Sequence, residues 1–409
     1  MEKLKKVLKE KSKTVNCIFI SSFIPRKCGI ATYTRDLIRA IDLVNPYCKT
    51  SVVAMVKPEE KIVYPPKVKF QINQCDINSY IKAAKYINRT TADIVILEHE
   101  FGLYSGEFGE YINELVKILE KQLVVTAHTI PDNPDKEYGK VLKDLINFAD
   151  RIIVMMPESR KKLIKRYNYP EERIEIIPHG VPDISLDPDT RYRSKSGFKD
   201  RLVLGSINLL SENKGLEYVI EALPEIKKHI PHILYLIIGQ THPNVLRCKG
   251  EKYRTSLKEK IDKLGLHENV KFINKYVSLK ELISWLMTFD IYITPYLDPH
   301  QSASGALAYA IGAGRVCIST PYSYAKEVLS EGRGIIVPFK SSQAIADAVI
   351  DISKDSRKRL EIEKKAYKYG RLMTWYNVAA QYIKVFNEVL DEYSGKSEEI
   401  RKRSVARAT

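Results

Sequence analysis

The stretch IPHGVPDISLDPDTRYRSKSG, Ile177–Gly197, decides how this chain is organised. It is dense in Pro, Gly, Ser and Asp, which break regular structure, and it reads as a linker. Before it, short apolar runs alternate with segments of helical period. The runs Cys17–Phe23, Ser51–Val56, Ile94–Glu98, Leu123–Ala127, Ile152–Met156 and Ile174–Ile177 predict strands. Between them Ile30–Val44, Ser79–Asn88, Glu107–Glu120 and Glu137–Phe148 predict helices. After it the same alternation restarts. Leu202–Ile207, Leu234–Ile238, Val270–Ile273, Ile291–Thr294, Val316–Ser319 and Ile335–Val337 predict strands, and Gly215–Lys228, Tyr253–Leu264, Leu279–Thr288 and Gln343–Ile352 predict helices. A long helical pattern, Tyr376–Tyr393, closes the chain.

Strands alternating with helices imply parallel sheets covered on both faces. A length of 409 residues exceeds one ordinary core. The expected class is therefore α/β, with two Rossmann-like doubly wound domains. The boundaries expected are 1–182, 183–375, and 376–409 for a crossover helix and basic tail. Open parallel sheets bind ligands outside the carboxyl ends of their strands. Two such sheets facing each other would form a cleft that excludes water, as a reaction competing with hydrolysis requires.

Five segments carry candidate chemistry. In Ser21–Ile41 a strand ends, Gly29 lies in the turn, and a helix begins, offering free N–H groups to an anion. No G-x-G-x-x-G is present, which disfavours a dinucleotide dehydrogenase. His99, Glu100 and His128 each fall where a predicted strand ends, on the ligand edge of a sheet. Lys214 sits where a helix begins after the first strand of the second half, and would add a full charge to the helix-end field around a diphosphate. Gly239 and Gln240, then Tyr276 and Val277, follow two further strands and could line a site for a base and a sugar. The densest segment is PYLDPHQSASGALAYAIGAGRVCISTPYSYAKEVL, Pro295–Leu329. Its small polar loop leads into a helix whose start leaves the N–H groups of Ser304, Gly305 and Ala306 open to a phosphate. Gly312 and Gly314 would close that helix.

In this order, from about Cys17 to Val389, the segments resemble the family-4 glycosyltransferases with the GT-B fold. The match includes CGIATYTRDL in place of the Gly-rich first loop, His128, the junction Ile177-Pro178-His179-Gly180-Val181, and Lys214-Gly215. The family's E-x7-E pair falls on Gln301 and Tyr309, a departure that marks a divergent subgroup. The resemblance implies a hexosyltransferase, with retention, that moves mannose or glucose from a GDP- or UDP-sugar to a carbohydrate or lipid acceptor. It implies His128, Lys214 and Gln301 at the reacting centre. Gly29, Gly239, Gln240, Tyr276 and Val277 would bind the donor, as would Ser304, Gly305, Ala306 and Tyr309. Glu100 and His99 would meet the acceptor. The closing helix is expected to return to the N-terminal domain. No cofactor or metal is implied: the D-x-D at Asp187-Pro188-Asp189 lies in the linker and reads as a turn. The missing Glu pair keeps open a non-catalytic binding or partner subunit. An epimerase or phosphorylase of the same fold is the other alternative.

Composition fits this reading. Hydrophobic residues make up 44% and charged residues 28%, and no apolar run is long enough to span a bilayer. The start, MEKLKKVLKEKSK, lacks the apolar core of a signal peptide, and the expected location is cytoplasmic. None of the six cysteines forms a C-x-x-C pair, which predicts that most are small core residues rather than parts of a zinc site or a disulfide framework. The net charge is +16, concentrated in part at residues 1–13 and 396–409. It suits anionic partners such as a nucleotide or the surface of the inner membrane. Nucleic acid is disfavoured, because no basic-aromatic module is present.

Overall fold

A computed structural model describes residues 14–186, 197–198 and 200–406. Residues 1–13, residues 187–196 of the linker with Asp187-Pro188-Asp189, and the side chains of the basic tail lie outside the described residues. The chain forms two compact units. The first runs to Gly180 and takes up the chain again at Trp375; the second spans Val181–Thr374.

The first unit holds seven parallel strands. They are β1 (Asn16–Ser21), β2 (Lys49–Val56), β3 (Val68–Asn73), β4 (Ile94–His99), β5 (Gln122–Ala127), β6 (Arg151–Val154) and β7 (Ile174–Ile176). Their order is β3-β2-β1-β4-β5-β6-β7, so the winding reverses between β1 and β4. Helices α1 (Gly29–Val44), α2 (Ile77–Asn88), α3 (Tyr111–Ile118), α4 (Glu137–Ile146) and α5 (Pro157–Tyr167) connect them. All six residues of β4 are buried, as expected of a strand covered on both faces. In α1, Leu37, Ile38, Ile41 and Val44 form the buried stripe.

The second unit has six parallel strands: β8 (Leu202–Ile207), β9 (Ile233–Ile238), β10 (Val270–Ile273), β11 (Ile291–Thr294), β12 (Val316–Ser319) and β13 (Ile335–Ile336). Their order, β10-β9-β8-β11-β12-β13, reverses between β8 and β11. The helices are α6 (Leu216–His229), α7 (Pro243–Lys249), α8 (Lys252–Leu264), α9 (Leu279–Thr288), α10 (Gly305–Gly312), α11 (Ser323–Val328), α12 (Ser342–Lys354) and α13 (Ser356–Leu372). The last helix, α14 (Trp375–Ala406), belongs to the first unit and packs along α1, with Tyr382 and Phe386 fully buried.

Three expectations need correction. The predicted helix Glu107–Glu120 is broken into a short turn at Glu107–Gly109 and α3, because Gly106, Phe108 and Gly109 all have positive φ. Strand β3 and the charged helices α5 and α13 were not predicted. Only Ser159, Leu163 and Tyr167 of α5 are buried, which leaves little apolar period to read. Finally, only Cys17, Cys48 and Cys317 are buried; Cys28 is half-buried and Cys75 and Cys248 are exposed.

Candidate active site

The winding of each sheet reverses at one point, and this is where a crevice opens beyond the carboxyl ends of the strands. In the first unit that point lies beyond β1 and β4. The loop after β1 ends at Cys28, whose side chain does not cap α1, so the first N–H groups of α1 have no side-chain partner at the cap. Gly29 opens the helix, and a Cβ there would meet no atom within 4 Å.

The ends of β4 and β5 are tied together. His128 N–H donates to the His99 carbonyl at 3.0 Å. His128 Nε2 lies 2.8 Å from Glu98 Oε2, and both side chains are almost wholly enclosed. Burial raises the Glu98 pKa, and the His128 bond opposes that rise. Glu98 Oε1 is buried without a partner. Edge-to-face contacts place Tyr33 of α1 against His128, His179 and Trp375, with ring centroids 5.0, 5.2 and 5.2 Å apart. The Tyr33 hydroxyl meets that of Tyr382 at 3.0 Å, and Tyr382 in turn meets Thr126 Oγ1 at 2.9 Å. The closing helix α14 thus helps to build the floor beneath His128.

Glu100 is partly exposed. It accepts from Thr129 Oγ1 at 2.8 Å and from the Phe101 N–H at 3.2 Å. His99, expected to meet the acceptor, is fully buried between Phe101 and Tyr104 and backs the site rather than lining it. Burial lowers its pKa to about 3, with the neighbouring His128 adding to the shift.

In the second unit the reversal point lies beyond β8 and β11. The turn Glu212–Lys214 follows β8, and Gly215 continues it with φ of +63°. A Cβ on Gly215 would collide with the Pro295 carbonyl, so glycine lets this turn sit directly on the loop after β11. The Leu297 N–H donates to the Asn213 carbonyl at 2.9 Å. Lys214 Nζ then lies 4.0 Å from the centre of the Tyr296 ring. Burial lowers the Lys214 pKa to about 8, against the opposing pull of Asp298.

Helix α10 starts close by. Its N-cap Ser304 accepts from the Leu307 N–H at 3.3 Å, and the earlier N–H groups of the turn, those of Gly305 and Ala306, have no acceptor within the helix. A hydrogen bond links Ser304 to Tyr296. Gln301 stands in the loop before α10, its Nε2 donating to the Ala303 carbonyl at 2.9 Å, while Tyr309 is buried within α10.

The loops after β9 and β10 are held by a residue that the sequence did not single out. Arg254 of α8 is buried and donates to the Gly239 carbonyl at 3.1 Å, to Asn274 Oδ1 at 2.8 Å and to Glu251 Oε2 at 3.1 Å. Gly239 has φ of +134°, and a Cβ there would collide with the Asn208 carbonyl. Gln240, Tyr276 and Val277 are half-buried in these two loops. Glu98, Tyr33, Asn208, Tyr296, Arg254, Trp375 and Tyr382 were also missed. For Glu98 a signal existed: a carboxylate closing an otherwise apolar strand.

This architecture has known relatives. The profile of Glycosyltransferase Family 4 matches residues 29–183, and that of Glycosyl transferases group 1 matches residues 188–369. The chain belongs to these GT-B glycosyltransferases. The D-inositol 3-phosphate glycosyltransferase of Corynebacterium glutamicum is 22% identical over 321 residues, 74% of this chain and 73% of that protein. The GDP-mannose-dependent alpha-(1-6)-phosphatidylinositol monomannoside mannosyltransferase of Mycolicibacterium smegmatis is 25% identical over 228 residues; the match takes in 53% of this chain and little more than half, 56%, of that protein. Among solved structures, Anabaena HepE in complex with UDP superposes with a TM-score of 0.70 at 16% identity, over 91% of this glycosyltransferase and 100% of HepE. A glycosyltransferase from Rickettsia africae gives 0.71 at 15% identity, over 92% and 99%. These two likenesses establish the fold. Among the described residues of the glycosyltransferase no helix is long and apolar enough to cross a membrane, and no group of three or more His, Cys, Asp or Glu is placed to hold a metal ion.

Proposed function

We propose that this glycosyltransferase moves a hexose, mannose or glucose, from a GDP- or UDP-sugar to a carbohydrate or lipid acceptor with retention at the anomeric carbon. The observation that carries the reading is the Lys214 ammonium, partly desolvated over Tyr296 beside the start of α10. As the bond from the anomeric carbon to the diphosphate breaks, negative charge grows on the leaving nucleoside diphosphate. A preorganised cation and first-turn N–H groups stabilise that charge more than the ground state. The acceptor oxygen bonds to the anomeric carbon as its hydroxyl proton passes to the departing diphosphate oxygen. His128, oriented by Glu98, binds or orients the sugar, and Glu100 accepts from acceptor hydroxyls. Gln301 offers a neutral hydrogen-bonding group to the donor sugar. The names of the relatives support a sugar-nucleotide donor and leave the acceptor open between a small polyol and a lipid headgroup.

The test is a panel of GDP- and UDP-sugars, each with and without candidate acceptors, followed by nucleoside diphosphate release from wild type and Lys214→Ala. Release with one donor, cut steeply in the variant, supports the proposal. Saturable binding without release across the panel would favour a non-catalytic role and make the uncharged Gln301 its cause.

A further inference from the structure

We infer that Tyr296 is a positioning residue that holds the Lys214 ammonium, uncompensated by any carboxylate, ready for the donor diphosphate. The inference rests on the reading above that Lys214 meets that diphosphate. It adds a residue that the family motifs do not supply, and it derives from how the ring is fixed.

Tyr296 is held from several sides. Its hydroxyl donates to Asn208 Oδ1 at 2.5 Å, at the end of β8. Its carbonyl accepts from Thr320 Oγ1 at 2.5 Å, past the end of β12. Its ring stacks on Tyr322, with centroids 5.1 Å apart and planes 20° apart. The ring is buried, and burial pushes its pKa up to about 12, so the hydroxyl stays a neutral donor at physiological pH. A residue tethered at its hydroxyl, its backbone carbonyl and its ring offers a rigid surface.

What it offers Lys214 is attraction without neutralisation. Among the described residues no carboxylate pairs with Lys214, and Asp298 acts on it only from a distance. A carboxylate in the ring's place would be a competitor, which the diphosphate would have to displace. The negative face of an aromatic ring attracts the ammonium weakly and directionally, and the charge stays available to an anion. Asn208 extends the device. Its carbonyl occupies the space that a side chain at Gly239 would need, so the atom that fixes Tyr296 belongs to the residue that also shapes the loop after β9.

A double-mutant cycle on nucleotide affinity tests this. UDP and GDP binding would be measured by calorimetry for wild type, Tyr296→Phe, Tyr296→Leu, Lys214→Ala and the Lys214→Ala/Tyr296→Leu double variant. The Phe variant keeps the ring and should stay within about threefold of wild type, while the Leu variant should weaken binding about tenfold or more. In the Lys214→Ala background the Leu change should cost less than about twofold, because its effect passes through the lysine. An equal cost in both backgrounds, or no cost in either, overturns the inference while leaving the donor reading intact. A wild type that binds neither nucleotide overturns both. Melting curves check the fold, and if the Leu variant does not fold, Tyr296→Met runs the same cycle.

Discussion

His128 Nε2 and Glu98 Oε2 meet at 2.8 Å inside the first unit, at the ends of two adjacent strands, with Tyr33 edge-on to the imidazole. A buried carboxylate facing a single ring nitrogen fixes both the tautomer and the orientation of that ring. Glu98→Gln keeps the shape and a hydrogen bond but removes the charge. It should lower kcat about tenfold or more with little change in Tm, since one buried ionisable group is replaced by a neutral one. Glu98→Ala should lower both, because it strands the imidazole. Steady-state kinetics beside thermal melts separate the two effects.

The fully buried His99 gives a pH prediction with a definite sign. Its folded pKa, about 3, lies below its ordinary 6.5, so the fold favours the neutral ring. That stability is complete above pH 6.5 and is lost as pH falls toward the folded value, at up to about 1.4 kcal/mol per pH unit for one proton. His179, lowered by burial to about 4, works in the same direction. Glu98, whose pKa is raised, works in the opposite one and loses stability as pH rises. Because both ring nitrogens of His99 are buried without partners, His99→Leu should cost little at pH 7.5. It should also flatten the acid limb of a plot of stability against pH. An unchanged slope between pH 6.5 and 4 would show that His99 is hydrated in solution.

Tyr382 couples α14 to the floor of the site through Tyr33 and Thr126. Tyr382→Phe removes one hydroxyl and leaves two buried polar partners short of a bond, a loss of about 1–3 kcal/mol. The same change should lower kcat through Tyr33 and His128. Chemical denaturation and kinetics on one preparation measure both, and a stability loss without any kinetic change would confine Tyr382 to packing.

Most of the parallel strands were legible because they are nearly unbroken apolar runs, as in Ile233–Ile238, whereas β3, with its alternating polar residues, was not, and the strand order came only with the structure. The strand-end histidine, the Lys-Gly turn and the small-residue helix start were legible for the same reason: they follow those runs. Residues that act from a distance in sequence were not. Tyr296 is 82 positions from Lys214 and reads as a strand-end aromatic. Its role appears only once Gly215 lets the turn sit on Pro295. Glu98 carried a signal, as the carboxylate that closes the predicted strand Ile94–Glu98, but its partner His128 lies 30 positions away; Tyr382 was hidden inside a helix whose apolar stripe accounts for it without a polar task. Helix α13 went unpredicted because Ile362, Ala366 and Gly370 alone are buried in a segment otherwise crowded with Lys, Arg and Glu.

Arg254 yields the last prediction. Its guanidinium bridges the Gly239 carbonyl, Asn274 and Glu251, and so joins the loops after β9 and β10 through one side chain. Thr241 Oγ1 donates to the same Glu251 carboxylate at 2.5 Å, which closes the cluster. Lysine at this position would keep the charge but has no planar fork, and one ammonium cannot reach three acceptors in these directions. Arg254→Lys should therefore leave the fold standing and loosen the two loops. On the proposal that those loops hold the donor, its KM should rise about tenfold while kcat changes little, the pattern of lost uniform binding. Arg254→Leu leaves the Gly239 carbonyl and Asn274 Oδ1 without their donor and should cost about 1–3 kcal/mol in stability. If Arg254→Lys instead lowers kcat and leaves the donor KM unchanged, the two loops contribute to the reacting geometry rather than to holding the nucleotide, and the assignment of Gly239, Gln240, Tyr276 and Val277 to donor binding falls.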